Sequence, residues 1–322
     1  MNGVGERDGG RRPLRRLLLD PPWVLFQLTA VVLAAGALTL LHVHQPVTPP
    51  PFADDPTPLG YTWSLSLFAL PLAFLVVWLL LRPEIRVQKR ALGVTLAILV
   101  PLGVVLDLLF AHTFFTFENT GAVTGLSIPG RGGPIPIEEL VFYLTGFVFV
   151  LLLYVWSDEA WMERYNPSLD AYATAPPVLR FHLGSVVTGL ALLAAAILYR
   201  KLLSGDPDGF PWYWAYLLAA SFVPSAGFFR TVRLYVNWQA LSFTFALVLM
   251  ISLTWEASLA SPYGWWGYQP PAMMGLFIAA WSRLPVEAVF VWLAVTYTTV
   301  IVYEVVKIWQ ASGKGFKEAM LG

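Results

Sequence analysis

The stretch GGPIPIEELVFYLTGFVFVLLLYVW, Gly132–Trp156, decides how the chain is read. A Gly/Pro-rich lead runs into an apolar segment of about twenty residues, the length of a helix that crosses roughly 30 Å of hydrocarbon. Two adjacent carboxylates, Glu138 and Glu139, stand at the junction. The surrounding chain has the same character: of 322 residues, 57% are hydrophobic and only 12% are charged, where a soluble domain carries about 25% charged residues. A formal net charge of zero gives no basic surface for nucleic acid. With no cysteine and four scattered histidines, the sequence offers no disulfide, thiolate nucleophile or metal-ligand cluster, and no cofactor is expected.

Scanning for further runs of this length predicts an all-α integral membrane protein of about eight transmembrane helices. The spans fall near Pro22–Leu41, Gly60–Leu81, Ala91–Ala111, Ile135–Trp156, His182–Tyr199, Trp212–Phe229, Val236–Trp255 and Pro285–Lys307. Placing both termini in the cytoplasm leaves only Arg131, Arg200, Lys201 and Arg283 outside, of 20 basic residues, which satisfies the positive-inside bias and points to a bacterial inner (plasma) membrane. The Arg200-Lys201 pair is a local exception to that bias.

Sliding the chain against itself by 149 positions superimposes PIEELVFYL at Pro136 on PVEAVFVWL at Pro285, so Glu138 falls on Glu287. The same offset takes Asp107 to Glu256, Phe117 to Trp266, Trp63 to Trp212 and Tyr154 to Tyr303. Such a register predicts a duplication of a three-helix unit, spans 2–4 and 6–8, with parallel halves joined by a linker span. The expected domains are a basic tail (1–21), an extra first span and loop (22–58), a first half (59–156), a linker with span five (157–209), a second half (210–307) and a cytoplasmic tail (308–322).

An isolated Pro-x-Glu at a membrane boundary is accounted for by helix chemistry, since proline suits the first turn and glutamate complements the macrodipole. Its repetition goes beyond what capping requires. Acids within a membrane are costly and default to a functional reading, so Asp107, Glu138, Glu139, Glu256 and Glu287 are the candidate catalytic residues. Crowded carboxyls in a water-poor pocket favour a shared proton, which suits one to donate and a neighbour to accept. Phe114, Phe115, Phe117, Trp265, Trp266 and Tyr268, in the loops leading to both motifs, fit an interfacial belt or, facing inward, a wall that stabilises a cation. His112 and Asn119 follow Asp107 and are read as interface residues or orienters of an acid. Glu304 is expected to pair with Lys307 at i+3.

The duplicated unit with Pro136-Ile-Glu-Glu and Pro285-Val-Glu-Ala resembles the membrane lycopene cyclase family, in its fused two-half form, over spans two to eight. That resemblance implies a non-redox, proton-initiated closure of a β-ring on a linear carotenoid, with Glu138 as proton donor, Glu139 or Glu287 as base, and Asp107 and Glu256 as supporting acids. Ala288 stands where the second acid of the second motif would be. The implied partners are a lipophilic carotenoid and the bilayer, with a homo-oligomer allowed. A membrane isoprenoid hydratase or terpene cyclase could use the same acids, and a proton-coupled transporter could also show parallel repeats.

Overall fold

A bilayer offers no water to an unpaired peptide group, so apolar segments of this length close their hydrogen bonds internally as helices. The computed structural model of the chain describes residues 58–81, 86–166, 171 and 181–321. It is mostly helical, and among the described residues six helices are long and apolar enough to cross a membrane. They are α1 (Gly60–Leu80), α2 (Arg86–Phe114), α3 (Ile137–Trp161), α4 (Gly184–Leu202), α6 (Trp238–Ala260) and α7 (Val286–Ser312). Between α4 and α6 lies α5, residues 212–226, and a short α8 (Phe316–Leu321) follows α7. The basic tail and the span expected at Pro22–Leu41 lie outside the described residues.

The segment expected to span as Trp212–Phe229 is a shorter, broken helix. Its middle turn, Leu218–Phe222, widens to π geometry and α5 ends at Ala226, ahead of Gly227. Pro224, which has no N–H to return to the preceding turn, supplies the reason for a break here. Two other helices also end in π turns, Ser157–Trp161 in α3 and Glu256–Ala260 in α6.

Helices α3 and α7 are the most enclosed, whereas α1, α2 and α4 show most of their surface. Outward residues such as Leu70 and Phe74 on α1 and Ile98 and Val105 on α2 are apolar, as a lipid-facing surface requires. α3 packs on α1, α2, α6 and α7, and α7 packs on α2, α5 and α6. Where α4 crosses α5, Gly189 allows the close approach, because a Cβ there would lie 2.3 Å from the Val223 side chain.

One end of the bundle is closed by paired loops. After α2, β1 (Phe115–Thr116) leads to β2 (Ser127–Gly130) and β3 (Gly133–Pro136), which form a hairpin feeding α3. Gly132 sits at its tip with φ of 104°, and a side chain there would run into His112. After α6, β4 (Gly267–Tyr268) leads to β5 (Phe277–Ile278) and β6 (Leu284–Pro285), a second hairpin feeding α7. β1 and β4 pair antiparallel, Phe115 opposite Tyr268, and so tie the two loops together.

At the other end, α3 and α7 are joined by buried charge. Lys307 Nζ lies 3.1 Å from Asp158 Oδ2, 3.4 Å from Glu159 Oε1 and 3.7 Å from Glu304 Oε1, the last being the i+3 pair expected from sequence. Tyr154 donates to Glu304 at 2.9 Å, and Asn237, which caps α6 by accepting from Ala240 N, donates to Asp158 at 2.9 Å. Removing a cation from such a cluster leaves carboxylates uncompensated in a dry interior, at a cost of about 3–5 kcal/mol. Lys307→Met is therefore expected to destabilise the bundle by about that amount, measured by denaturant titration in mixed micelles. The triple variant Lys307→Met/Asp158→Asn/Glu304→Gln is expected to recover most of the loss.

Candidate functional site

The first turn of α3 presents Glu138 and Glu139 one residue apart, about 100° around the helix, so they face different surroundings. Glu138 turns to the loop. Thr62 Oγ1 and the Thr124 amide both donate to its Oε1 at 2.8 Å. Glu287 does the same in α7, accepting from the Met274 amide. In both cases the proline-led hairpin also returns a backbone bond, Ile137 N to Leu126 O and Val286 N to Leu276 O, each at 2.9 Å. These two glutamates therefore fasten the incoming loops, each retaining one buried Oε2 with no partner.

Glu139 faces inward instead. Tyr61 donates to its Oε2 at 2.8 Å, and the carboxyl lines a narrow slot of about 40 Å³. Glu256, first residue of the π turn in α6, lines the same slot. Its oxygens accept from two neutral donors, Trp292 Nε1 at 2.7 Å and Tyr268 OH at 3.0 Å. Burial pushes the Tyr268 hydroxyl well above its ordinary value, with the Glu256 charge adding to the effect, so it remains a donor.

Asp107, on α2, lines a second slot of about 90 Å³ that shares the walls Tyr143, Phe147, Tyr213, Val291 and Val295 with the first. Both Asp107 oxygens are buried without a hydrogen-bond partner. Asp107 and Glu256 each lie close enough to Glu139 to act on it electrostatically. The structure thus brings Glu139 and Glu256 to one slot and Asp107 to an adjoining slot that shares walls with it, three of the five candidate acids in all. Glu138 and Glu287 stand behind it.

Aromatic rings form most of the wall. Phe142 stacks on Trp255 at 5.1 Å, Phe115 meets Trp266 edge-on at 5.4 Å, and Trp266 meets Tyr268 at 5.1 Å. Of the six loop aromatics read as belt or wall, Phe114, Phe115, Trp265 and Trp266 are buried, and Phe117 and Tyr268 are half-buried. Of these, Phe115, Trp266 and Tyr268 line the slot, whereas Phe114 and Trp265 are buried outside its lining. From the Asp107 slot, a groove lined by Leu99, Leu102, Gly103 and Leu217 reaches the apolar outer surface, where Leu102 is exposed.

His112 and Asn119 both make contacts with the loops. His112 Nε2 lies 3.1 Å from Pro134 O and steadies the hairpin, and Asn119 donates to Tyr263 O at 2.8 Å, linking the two loops. Sequence reasoning missed Tyr61, Trp292 and Tyr143. The offset itself carried a signal for two of them, since Tyr143 beside Asp107 falls on Trp292 beside Glu256.

Comparison of the chain with protein-family models, with curated proteins and with solved structures finds no match. The site therefore rests on its own geometry: buried carboxyls with neutral donors, walled by aromatic rings and reached through an apolar groove. If Glu138 and Glu287 are loop fasteners, replacing either with leucine frees one amide. Glu138→Leu is expected to raise hydrogen exchange at residues 120–136 and leave 270–285 unchanged, and Glu287→Leu is expected to do the converse. The opening free energy of each loop should fall by about 1–3 kcal/mol, the cost of a lost bond to a charged acceptor.

Proposed function

We propose that this protein is a multi-pass membrane carotenoid cyclase of the lycopene β-cyclase type. The observation that carries the reading is the placement of Glu139 and Glu256 in one aromatic slot, each held by neutral donors and with no basic side chain in its lining. Proton-initiated cyclisation needs an acid that can give a proton to an alkene, aromatic faces toward the resulting cation, a base to take a proton back, and exclusion of water.

In this reading the proton donor is Glu139, in place of its neighbour Glu138, because Glu139 faces the slot. Protonation of the terminal double bond of a linear carotenoid forms a tertiary cation. The neighbouring alkene attacks it to close a six-membered ring, and Glu256 removes a ring proton, so no net proton or electron is consumed. The faces of Phe142, Trp266 and Trp292 lie around the slot, where they can stabilise positive charge. Tyr61 and Tyr268 orient the two acids. Asp107 serves as a proton reservoir between the acids and the groove. The polyene enters from the lipid past Leu102 and the Asp107 slot, with Phe142, Tyr143 and Phe147 lining its path to the acids.

The finer architecture belongs to the same proposal: eight spans, both termini cytoplasmic, and two parallel halves of three helices. Supporting the duplication are contacts that recur at nearly the 149-residue offset. α2 packs on α7 as α6 packs on α3, and each half has a hairpin, a short 3₁₀ turn and a loop amide donating to a glutamate.

Expression in cells that accumulate lycopene, with pigments separated by chromatography, tests the function. β-Ring products are expected from the wild-type chain. Glu139→Gln is expected to lower product by at least about a hundredfold, the scale of general acid catalysis, whereas Glu138→Gln lowers it mainly through reduced folded protein. Unchanged lycopene with verified membrane insertion would overturn the assignment, and hydroxylated acyclic products would identify a hydratase instead.

A further inference from the structure

The Arg200-Lys201 pair, which runs against the charge bias of the chain, begins to make sense in three dimensions. Arg200, in the last turn of α4, is only 2% exposed although it is a cation at a helix end. It lines a half-open cavity of about 600 Å³ between α4 and the loop leading into α7. Arg283, carried by that loop, lines the same cavity, so two of the four basic residues assigned to the outer side converge on one place.

The guanidinium donors of Arg200 are incompletely used. Nη2 pairs with Asp206 at 2.6 Å, Nη1 makes a long contact of 3.5 Å to Pro270 O, and Nε is buried with no partner. Asp206 itself is 59% exposed and sits at the rim. Among the described residues Arg283 has no carboxylate partner; its guanidinium lies 5.8 Å over the Phe277 ring. Ser204 and Ser261 also line the cavity, their hydroxyls donating to Arg200 O and Ser282 O. A cavity with two guanidinium groups and one carboxylate has the charge and the N–H donors to hold an anion, and the planar fork of arginine matches phosphate oxygens.

We propose that this cavity binds a phosphate-type anion, held between Arg200 and Arg283. The site is separate from the acid slot, with Tyr268 as the shared wall: its ring lines both, and its hydroxyl holds Glu256. The phosphate can arrive on a lipid headgroup at the membrane surface or as a free ion, and the chemistry of recognition is the same.

The test is thermal unfolding of the full-length, delipidated protein in neutral detergent at constant ionic strength. One arm titrates inorganic phosphate against chloride, and the other titrates phosphatidylglycerol against diacylglycerol. An upward shift of the unfolding midpoint with phosphate identifies a free anion as sufficient, and a shift with phosphatidylglycerol alone identifies the headgroup. In either case Arg283→Gln, an exposed residue whose loss leaves the fold intact, is expected to raise the half-saturating concentration about tenfold, the equivalent of one charged hydrogen bond. Arg283→Lys is expected to retain part of the response, and Arg131→Gln, on the other hairpin, all of it. The proposal fails if neither ligand exceeds its control, or if Arg283→Gln and Arg131→Gln respond alike.

Discussion

A carboxyl group carried into an apolar interior must be met by a cation or by neutral donors, and the two ends of this bundle answer that requirement differently. At one end Lys307 gathers Asp158, Glu159 and Glu304, with Asn237 and Tyr154 completing the network. Ionic pairing there joins α3 to α7 and pulls in the start of α6. At the other end, among the described residues, Glu139 and Glu256 accept side-chain hydrogen bonds from Tyr61, Trp292 and Tyr268 alone. A cation beside them would lock these acids as carboxylates; hydroxyl and indole donors hold their positions and leave the proton free to move. The bundle thus holds its carboxyls by ion pairs at one end and by neutral donors at the other.

The hairpin loops serve this division of labour. Glu138 and Glu287 each accept a loop amide, and the pairing of Phe115 with Tyr268 draws the two loops over the slot. Loop closure supplies the aromatic wall, so the same residues that seal the helix ends exclude water from the acids. The halves are unequal where it counts. Glu139 has alanine, Ala288, as its counterpart at the 149-residue offset, while Asp107 with no partner corresponds to Glu256 with two. One slot therefore holds two acids in unequal surroundings, Glu139 with one neutral donor and Glu256 with two.

Much of this was legible in the chain. Among the described residues six of the expected spans appear as long helices, following directly from apolar runs that close their hydrogen bonds internally, as the match of Ile135–Trp156 to α3 illustrates. At 212–229 hydropathy marked an apolar helical segment but not its break, because it counts apolar residues and does not weigh the missing N–H of Pro224. The acids were found by their cost in a membrane, yet adjacent residues 138 and 139 could not be told apart, because one is a fastener and the other a slot residue only through the rotation of α3. The Asp158–Lys307 pair lay in plain view: the two are 149 positions apart, one helical turn beyond the Tyr154 and Tyr303 correspondence.

The sequence by itself determined a helical chain for a membrane, its span boundaries to within a few residues, the acids that apolar surroundings make conspicuous and the 149-residue register between its parts. Each follows from local composition and from the need of every buried peptide group for a partner. Only the tertiary structure decided which carboxyl faces the slot, which aromatic rings line it, and that Arg200 and Arg283 share a cavity. Those outcomes depend on how helices rotate and where loops land, which is set by packing among residues of different helices and loops and by no pattern within any one segment.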